Sequence, residues 1–277
     1  MNLILDKITL PAQRPRVSRE RLLDALHESM NSCTSTVICG RTGAGKTMLA
    51  ADVAARASRR VAWYKVDASE VDLTAFLQYL IASVRQQHPG FGRKTLALAS
   101  LSISPSDATL LAESFVYEMT MLEGEGQPLL IVIDDLHLLY DAAWIVPFFV
   151  RLLPLLPREA HMILIGRTLP PAPLWRMRSK QTLCVIDEAA LAFTLAEARE
   201  LFASYGSRPD GAAQALAETW GRAAALDRAA QVSTEVARED SLRHHAPVIN
   251  ASTPQRRNNS RLRLVQEEFS KSSLGAT

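Results

Sequence analysis

The stretch "VICGRTGAGKTMLA", residues 37–50, decides the reading of this chain. Gly40-Arg41-Thr42-Gly43-Ala44-Gly45-Lys46-Thr47 matches G-x-x-x-x-G-K-[ST] at every fixed position. Each residue type has a physical reason. Glycines let backbone N–H groups wrap an anion without Cβ clashes. A helix starting near Gly45 aims unpaired amides and the positive end of its dipole at the same anion. Lys46 reaches the β- and γ-phosphates of a nucleotide, and the Thr47 hydroxyl ligates Mg²⁺. Met48 opens the following helix beside the loop and joins Gly40 to Thr47 as a nucleotide-contact residue. The alternative is a glycine-rich turn that matches by chance. A β-prone run before it (residues 35–39) and an alanine-rich helical run after it (residues 45–57) argue against chance.

Outward from the loop, short apolar runs alternate with helical patterns. Strands are predicted at 60–67, 128–135, 161–168 and 181–187. Helices are predicted at 72–87, 107–122, through "IVPFFVRLLPLL", and at 193–206. Residues 88–105 read as loop. In the last helix Thr194 and Glu197 form a capping box and Gly206 closes the C-terminus. The unbroken apolar strands fit a parallel sheet covered on both faces. The fold class is therefore α/β: a three-layer P-loop NTPase with a mainly parallel sheet flanked by helices and a disordered tail. The predicted organisation is an extended segment (1–17), an ATPase domain (18–205), a partial lid (206–231) and a polar tail (232–277).

A phosphate loop needs an acid at the end of a neighbouring buried strand, and "LLIVIDD" supplies two. Asp134 would hold Mg²⁺ through water and Asp135 would polarise the attacking water. The alternative is a strand-end turn with two solvated acids. His137 either touches the phosphate region or packs at the strand edge. Arg167, after "HMILIG", emerges at the C-terminal edge of the sheet, where ligands of such sheets bind. It either senses the γ-phosphate or forms a surface salt bridge. Arg176 and Arg178 are weaker candidates, read as solvated.

Composition narrows the class. Of 277 residues 48% are hydrophobic, enough for a sizeable core, and the formal net charge of +2 demands neither nucleic acid nor membrane as partner. Three scattered cysteines lack metal-ligand spacing and fit a reducing compartment. With neither a signal peptide nor a membrane-length apolar run, the reading is a soluble cytoplasmic protein.

The phrases "KITLPAQRPRVSRERLLDAL", "GRTGAGKT", "VAWYKVDASEVDLTAFLQYLIASV", "LLIVIDDLHLL", "ILIGRTLPPAPLWRMRSKQTLCVID" and "LAFTLAEARELF" follow in order. Together they resemble the nucleotide-binding module of MalT-type regulators, large ATP-dependent LuxR-family activators of the STAND class. The resemblance implies ATP/ADP and Mg²⁺ as ligands, and a switch with slow hydrolysis in transcription control. It also implies contact between the segment before the P-loop and the adenine end, which makes Arg19 and Glu20 candidates; by their place alone they are the exposed first turn of a helix. A protein partner, or self-association in the ATP state, is the implied output. Trp220-Gly221 stands in reversed order relative to the family's Gly-Trp lid motif. The polar sequence beyond Gln231 leaves no room for the family's winged helix, repeats or helix-turn-helix, so no specific DNA binding is expected of this chain. An autonomous AAA-like ATPase, or a truncated or frameshifted remnant, stays open as an alternative.

Overall fold

The structure, a computed structural model, describes residues 3–101, 104, 107–122, 127–207 and 210–244. Its centre is a five-stranded sheet in the order β2-β3-β4-β1-β5. The strands are β1 Ser35–Cys39, β2 Arg60–Lys65, β3 Leu129–Asp134, β4 Ala160–Gly166 and β5 Leu183–Ile186. All four pairings are parallel. β1, β3 and β4 are buried at every residue, as strands covered on both faces must be, and this explains the apolar run Leu129–Ile133 of β3.

Successive residues feed opposite faces. Val37, Tyr64, Ile131, Ile133, Met162 and Leu164 join one core cluster with α3 (Leu73–Arg85), α5 (Ala108–Thr120) and α6 (Ile145–Leu155). Ile38, Trp63, Leu130, Val132, Ile163 and Ile165 join a second with α1 (Glu20–Ser32) and α2 (Lys46–Arg56). The period of two along each strand thus builds the three layers. A third cluster joins Val17, α9 (Leu195–Ser204), α10 (Gly211–Thr219) and the first part of α11 (Ala223–His244).

Local chemistry fixes the element ends. The Asp72 side chain accepts from Ala75 N and starts α3. The Thr194–Glu197 capping box starts α9, and Gly206 follows its end at a φ of 75°. Pro147 sits in the first turn of α6, where no amide is required, and Pro154 in its last turn. Two further helices are short: α7 (Ala172–Trp175) lies between β4 and β5, and α8 (Glu188–Leu191) between β5 and α9.

Two expectations change. Residues 88–105, read as loop, contain α4 (Arg93–Ala99); its seven residues are too few to show a period, and the Glu118 carboxylate from α5 holds its Lys94 and Thr95 amides. The polar segment beyond Gln231, read as disordered, continues α11 as far as His244. Its first turns are anchored by Leu226 and Ala230 in the third cluster, and helix once nucleated propagates at little cost. The expectation of disorder for 245–277 lies outside the described residues. The described residues up to Ala237 form one compact unit. Among the described residues no helix is long and apolar enough to cross a membrane.

Candidate functional site

The register sets the site. Lys65 lies opposite Asp134, and Cys39 opposite Gly166, so β1 to β4 end at one edge of the sheet. The loop Gly40–Gly45 leaves β1 at that edge and feeds α2. Gly43 and Gly45 take φ values of 82° and 85°, which residues with a Cβ rarely adopt. A Cβ on Gly43 would also sit 3.0 Å from Ala224 Cβ, and one on Gly45 3.0 Å from Ala223 Cβ and from Arg19 Nη2.

Five carbonyls of the loop are held by donors outside its backbone. Lys46 Nζ donates to Gly40 O (2.7 Å) and Arg41 O (3.1 Å). Arg222 Nε donates to Thr42 O (3.1 Å) and Ala224 N to Gly43 O (2.9 Å). Arg19 Nη2 donates to Gly45 O at 3.0 Å. The amides of Gly40, Arg41 and Ala44 donate within the protein, to Gly166 O, Glu188 and Arg41 O; the remaining loop amides and the first amides of α2 are left for an anion. Burial pushes the Lys46 ammonium below its usual pKa, with Asp134 and Asp135 acting in the opposite sense. Ala44 is buried under the loop.

Thr47 Oγ1 and Asp134 converge at the end of β3. Asp134 is 1% exposed, and its pKa is pushed up to about 6, first by burial and then by the neighbouring charge of Asp135. Thr47 and the Asp135 amide pull it back only in part. A buried carboxylate beside a hydroxyl, with so little compensation, fits a divalent cation. Among the described residues no group of three or more His, Cys, Asp or Glu could hold a metal.

Asp135 adopts a left-handed φ of 59° and starts a 3-10 turn over Leu136–Leu139. Arg167 is exposed, forms no ion pair among the described residues, and acts electrostatically on both Lys46 and His137. Arg176 and Arg178 are exposed on a 3-10 turn between α7 and β5.

Beside the loop lies a cavity of about 610 Å³. Arg16, Val17 and Arg19 form one wall, Gly43, Gly45 and Met48 the floor, and Phe193, Tyr205, Ala223, Ala224, Asp227 and Gln231 the far side. The Arg16 guanidinium lies 4.1 Å from the centre of the Tyr205 ring. Tyr205 Oη donates to Asp227 (2.8 Å), and Gln231 Nε2 to both Tyr205 Oη (3.0 Å) and Asp227 (2.9 Å).

Arg19 is buried, not on an exposed first turn, and also donates to Leu191 O at 2.7 Å. Burial lowers its pKa to about 10, so it stays charged at neutral pH. Glu20 points elsewhere and pairs with Arg56 at 3.1 Å. The structure therefore gathers Gly40–Met48, Asp134, Asp135, Arg167 and Arg19 around one edge and leaves out Glu20. Sequence reasoning missed the wall from α11 and Glu188. Glu188 accepts from Arg41 Nε (2.7 Å) and Arg41 N (3.2 Å) at the rim of the loop. The one signal for the wall was Trp220-Gly221, the turn that starts α11; nothing in the sequence marked Glu188.

The chain is similar to known proteins. The chain is 34% identical to the HTH-type transcriptional regulator MalT of Serratia proteamaculans over 203 residues, 72% of this chain and 22% of that protein. For MalT of Yersinia enterocolitica the identity is 32% over the same shares. The chain thus spans about a fifth of the length of these curated relatives. Among solved structures, the Walker-type ATPase PABY2304 of Pyrococcus abyssi aligns at 12% identity and a TM-score of 0.47, over 86% of this chain and 80% of that one. The Orc1 protein of Aeropyrum pernix, solved in complex with DNA, aligns at 19% and 0.49, over 83% and 63%. Residues 16–165 match the AAA ATPase domain, and this protein belongs to that family.

Proposed function

We propose that this chain binds ATP and ADP with Mg²⁺ at the edge of the sheet and hydrolyses ATP slowly, as a switch module in a MalT-like regulator. The observation that carries the reading is the phosphate loop itself, its carbonyls engaged by donors and Lys46 and the Thr47–Asp134 pair at its ends. In this reading Lys46 binds the β- and γ-phosphates and Thr47 and Asp134 hold the cation. Bound Mg²⁺ supplies charge neutralisation for the phosphates. Asp135 orients the attacking water, and Arg167 senses the γ-phosphate. The base lies in the cavity between Arg16–Arg19 and α11. The resemblance adds transcription control, the cytoplasm and a protein partner or self-association in the ATP state.

Coupling follows from the walls of the cavity. One wall is the P-loop and another is α11, so the nucleotide touches both and selects the arrangement it contacts better. This reading assigns nucleotide binding, not base-specific DNA recognition, to the described residues.

Calorimetry with Mg-ATP tests it. Lys46→Ala removes the loop's one side-chain ammonium and should weaken binding by about 2–4 kcal/mol, as losing one partner of a desolvated charge pair does. Equal affinity of the two proteins would refute the assignment.

A further inference from the structure

The end of the sheet away from the phosphate loop carries a second cavity. β2 runs from Arg60 at that end to Lys65 beside Asp134, about 16 Å at the rise of an extended strand. The cavity measures about 540 Å³, within the range of small-molecule sites, and shares no lining residue with the cavity beside the loop. Its walls come from the start of β2, the turn between α3 and α4, and the end of α5.

Packing fixes this turn. Gly92 has a φ of 76°, and a Cβ there would overlap the Ile81 side chain. The Phe91 ring stands edge-on to Phe115 at 5.0 Å. The Phe91 amide donates to His88 O (3.0 Å), and its carbonyl accepts from Arg85 Nε (2.7 Å). Gln87 Nε2 donates to Val61 O at 3.2 Å and ties the turn to β2. The walls are therefore set before any ligand enters.

Arg60, Lys94 and Glu118 are the charged side chains of the lining apart from His88. Glu118 is already engaged by α4: it accepts from the Lys94 and Thr95 amides (3.1 and 2.9 Å) and from Thr95 Oγ1 (2.6 Å). Arg60 and Lys94 form no ion pair among the described residues. Arg60 Nη1 lies 3.4 and 3.5 Å from the His88 ring nitrogens and 3.5 Å from Gln87 O, the far limit of a hydrogen bond. The Lys94 ammonium stands 5.0 Å from the centre of the Tyr117 ring. Beside these cations Tyr117 is 51% and Met121 59% exposed, four residues apart on one side of α5.

We propose that this cavity is a binding site for a small aromatic carboxylate, its ring against Tyr117 and Met121 and its carboxylate between Arg60 and Lys94. Rings pack favourably on an aromatic side chain and on a thioether. A carboxylate gives both cations the charge-assisted bonds that Glu118, spent on α4, does not. An uncharged ring would leave the cations unmatched, and a small inorganic anion would leave the apolar wall in water, so the site selects for both halves of the ligand. The proposal does not depend on the reading of the phosphate edge.

Calorimetry of the full chain tests it, with indole-3-acetate as probe, indole-3-acetamide as its uncharged counterpart, and each titration repeated in saturating Mg-ADP. The acid should bind saturably and about tenfold more tightly than the amide, the scale of one charge-assisted hydrogen bond, with or without Mg-ADP. Lys94→Gln and Arg60→Gln should each weaken the acid about five- to tenfold and leave the amide within about twofold. Tyr117→Ala should weaken both compounds together. Lys94 and Tyr117 are exposed, so their variants keep the fold even where the half-buried Arg60 does not tolerate substitution. Equal affinity for acid and amide, or parental affinity for the acid in Lys94→Gln and Tyr117→Ala, overturns the proposal. So does displacement of the acid by Mg-ADP, which would put the probe at the phosphate edge, and so does the absence of saturable binding.

Discussion

Thr47 Oγ1 lies 3.0 and 3.2 Å from the two carboxylate oxygens of Asp134, although 87 residues separate them in the chain. Asp134 is almost fully buried and, among the described residues, has only this hydroxyl and the Asp135 amide as hydrogen-bond donors. Asp134→Asn should therefore have two opposite effects. The gain in ATP affinity conferred by Mg²⁺ should shrink about tenfold, the equivalent of ~1.4 kcal/mol. In EDTA the variant should be more stable at pH 7, by on the order of 1–3 kcal/mol, because a destabilised buried charge is gone. Calorimetry with and without Mg²⁺, and thermal melts in EDTA, read the two effects. An unchanged Mg²⁺ gain would return Asp134 to a purely structural role.

Arg167 stands at the end of β4 near Lys46 with no ion pair among the described residues. Arg167→Ala should weaken ATP about tenfold and leave ADP nearly unchanged, since a charge-assisted bond to the γ-phosphate exists only with ATP. The ratio of the two dissociation constants is the readout. A ratio equal to that of the parent would remove Arg167 from the phosphate site.

Ala223 and Ala224 place the first turn of α11 against the glycines of the loop and line the cavity. Ala223→Leu should crowd the base end and weaken ATP and ADP alike, by about 1–3 kcal/mol, a typical cost of overpacking. The contrast with Arg167→Ala is the informative part: one substitution changes the ratio and the other changes both affinities together. Undiminished binding of both nucleotides by Ala223→Leu would mean that the base does not occupy this cavity.

His161 lies on β4 beneath α1, 1% exposed, and shares a hydrogen bond with Thr36 Oγ1 (2.9 Å); its Nδ1 lies 3.1 Å from Cys33 O. Burial lowers its pKa from 6.5 to about 4. The ring is neutral in the fold and charged in the unfolded chain between those values, so the unfolded chain binds the extra proton. Its contribution to stability is complete above pH 6.5, falls as the pH drops toward 4 and is constant below, a loss on the order of 3 kcal/mol. Asp134, raised to about 6, works the other way, because the fold holds its proton between pH 6 and 3.8. Comparing His161→Gln with the parent cancels that opposing slope. Denaturant melts in EDTA at pH 7, 5.5 and 4.5 should show the variant losing less stability toward acid. Parallel pH slopes in the two proteins would exclude His161 as the source.

What the sequence determined by itself was whatever depends on neighbours in the chain. The strand–loop–helix around Gly40–Thr47 was legible because phosphate loops need fixed residue types at fixed spacing. β3 and β4 were legible because burial on both faces demands unbroken apolar runs. The capping box of α9 was legible because its two bonds span three residues. The helix Arg93–Ala99 was not, since its stability comes from Glu118 and the aromatic contact of Phe91 with Phe115. Nor was the length of α11, whose polar sequence carries no period strong enough to outweigh ordering entropy. Tertiary structure alone decided that Arg19 is buried against Gly45 and Leu191, that Glu188 reaches Arg41, and that α11 walls the cavity. It also decided that the His137 ring nitrogens and the Tyr140 hydroxyl are buried without a hydrogen-bond partner among the described residues. Such contacts join residues far apart in sequence, and whether a polar side chain meets a partner, a cavity or water is set by the sheet register and helix packing that bring them together.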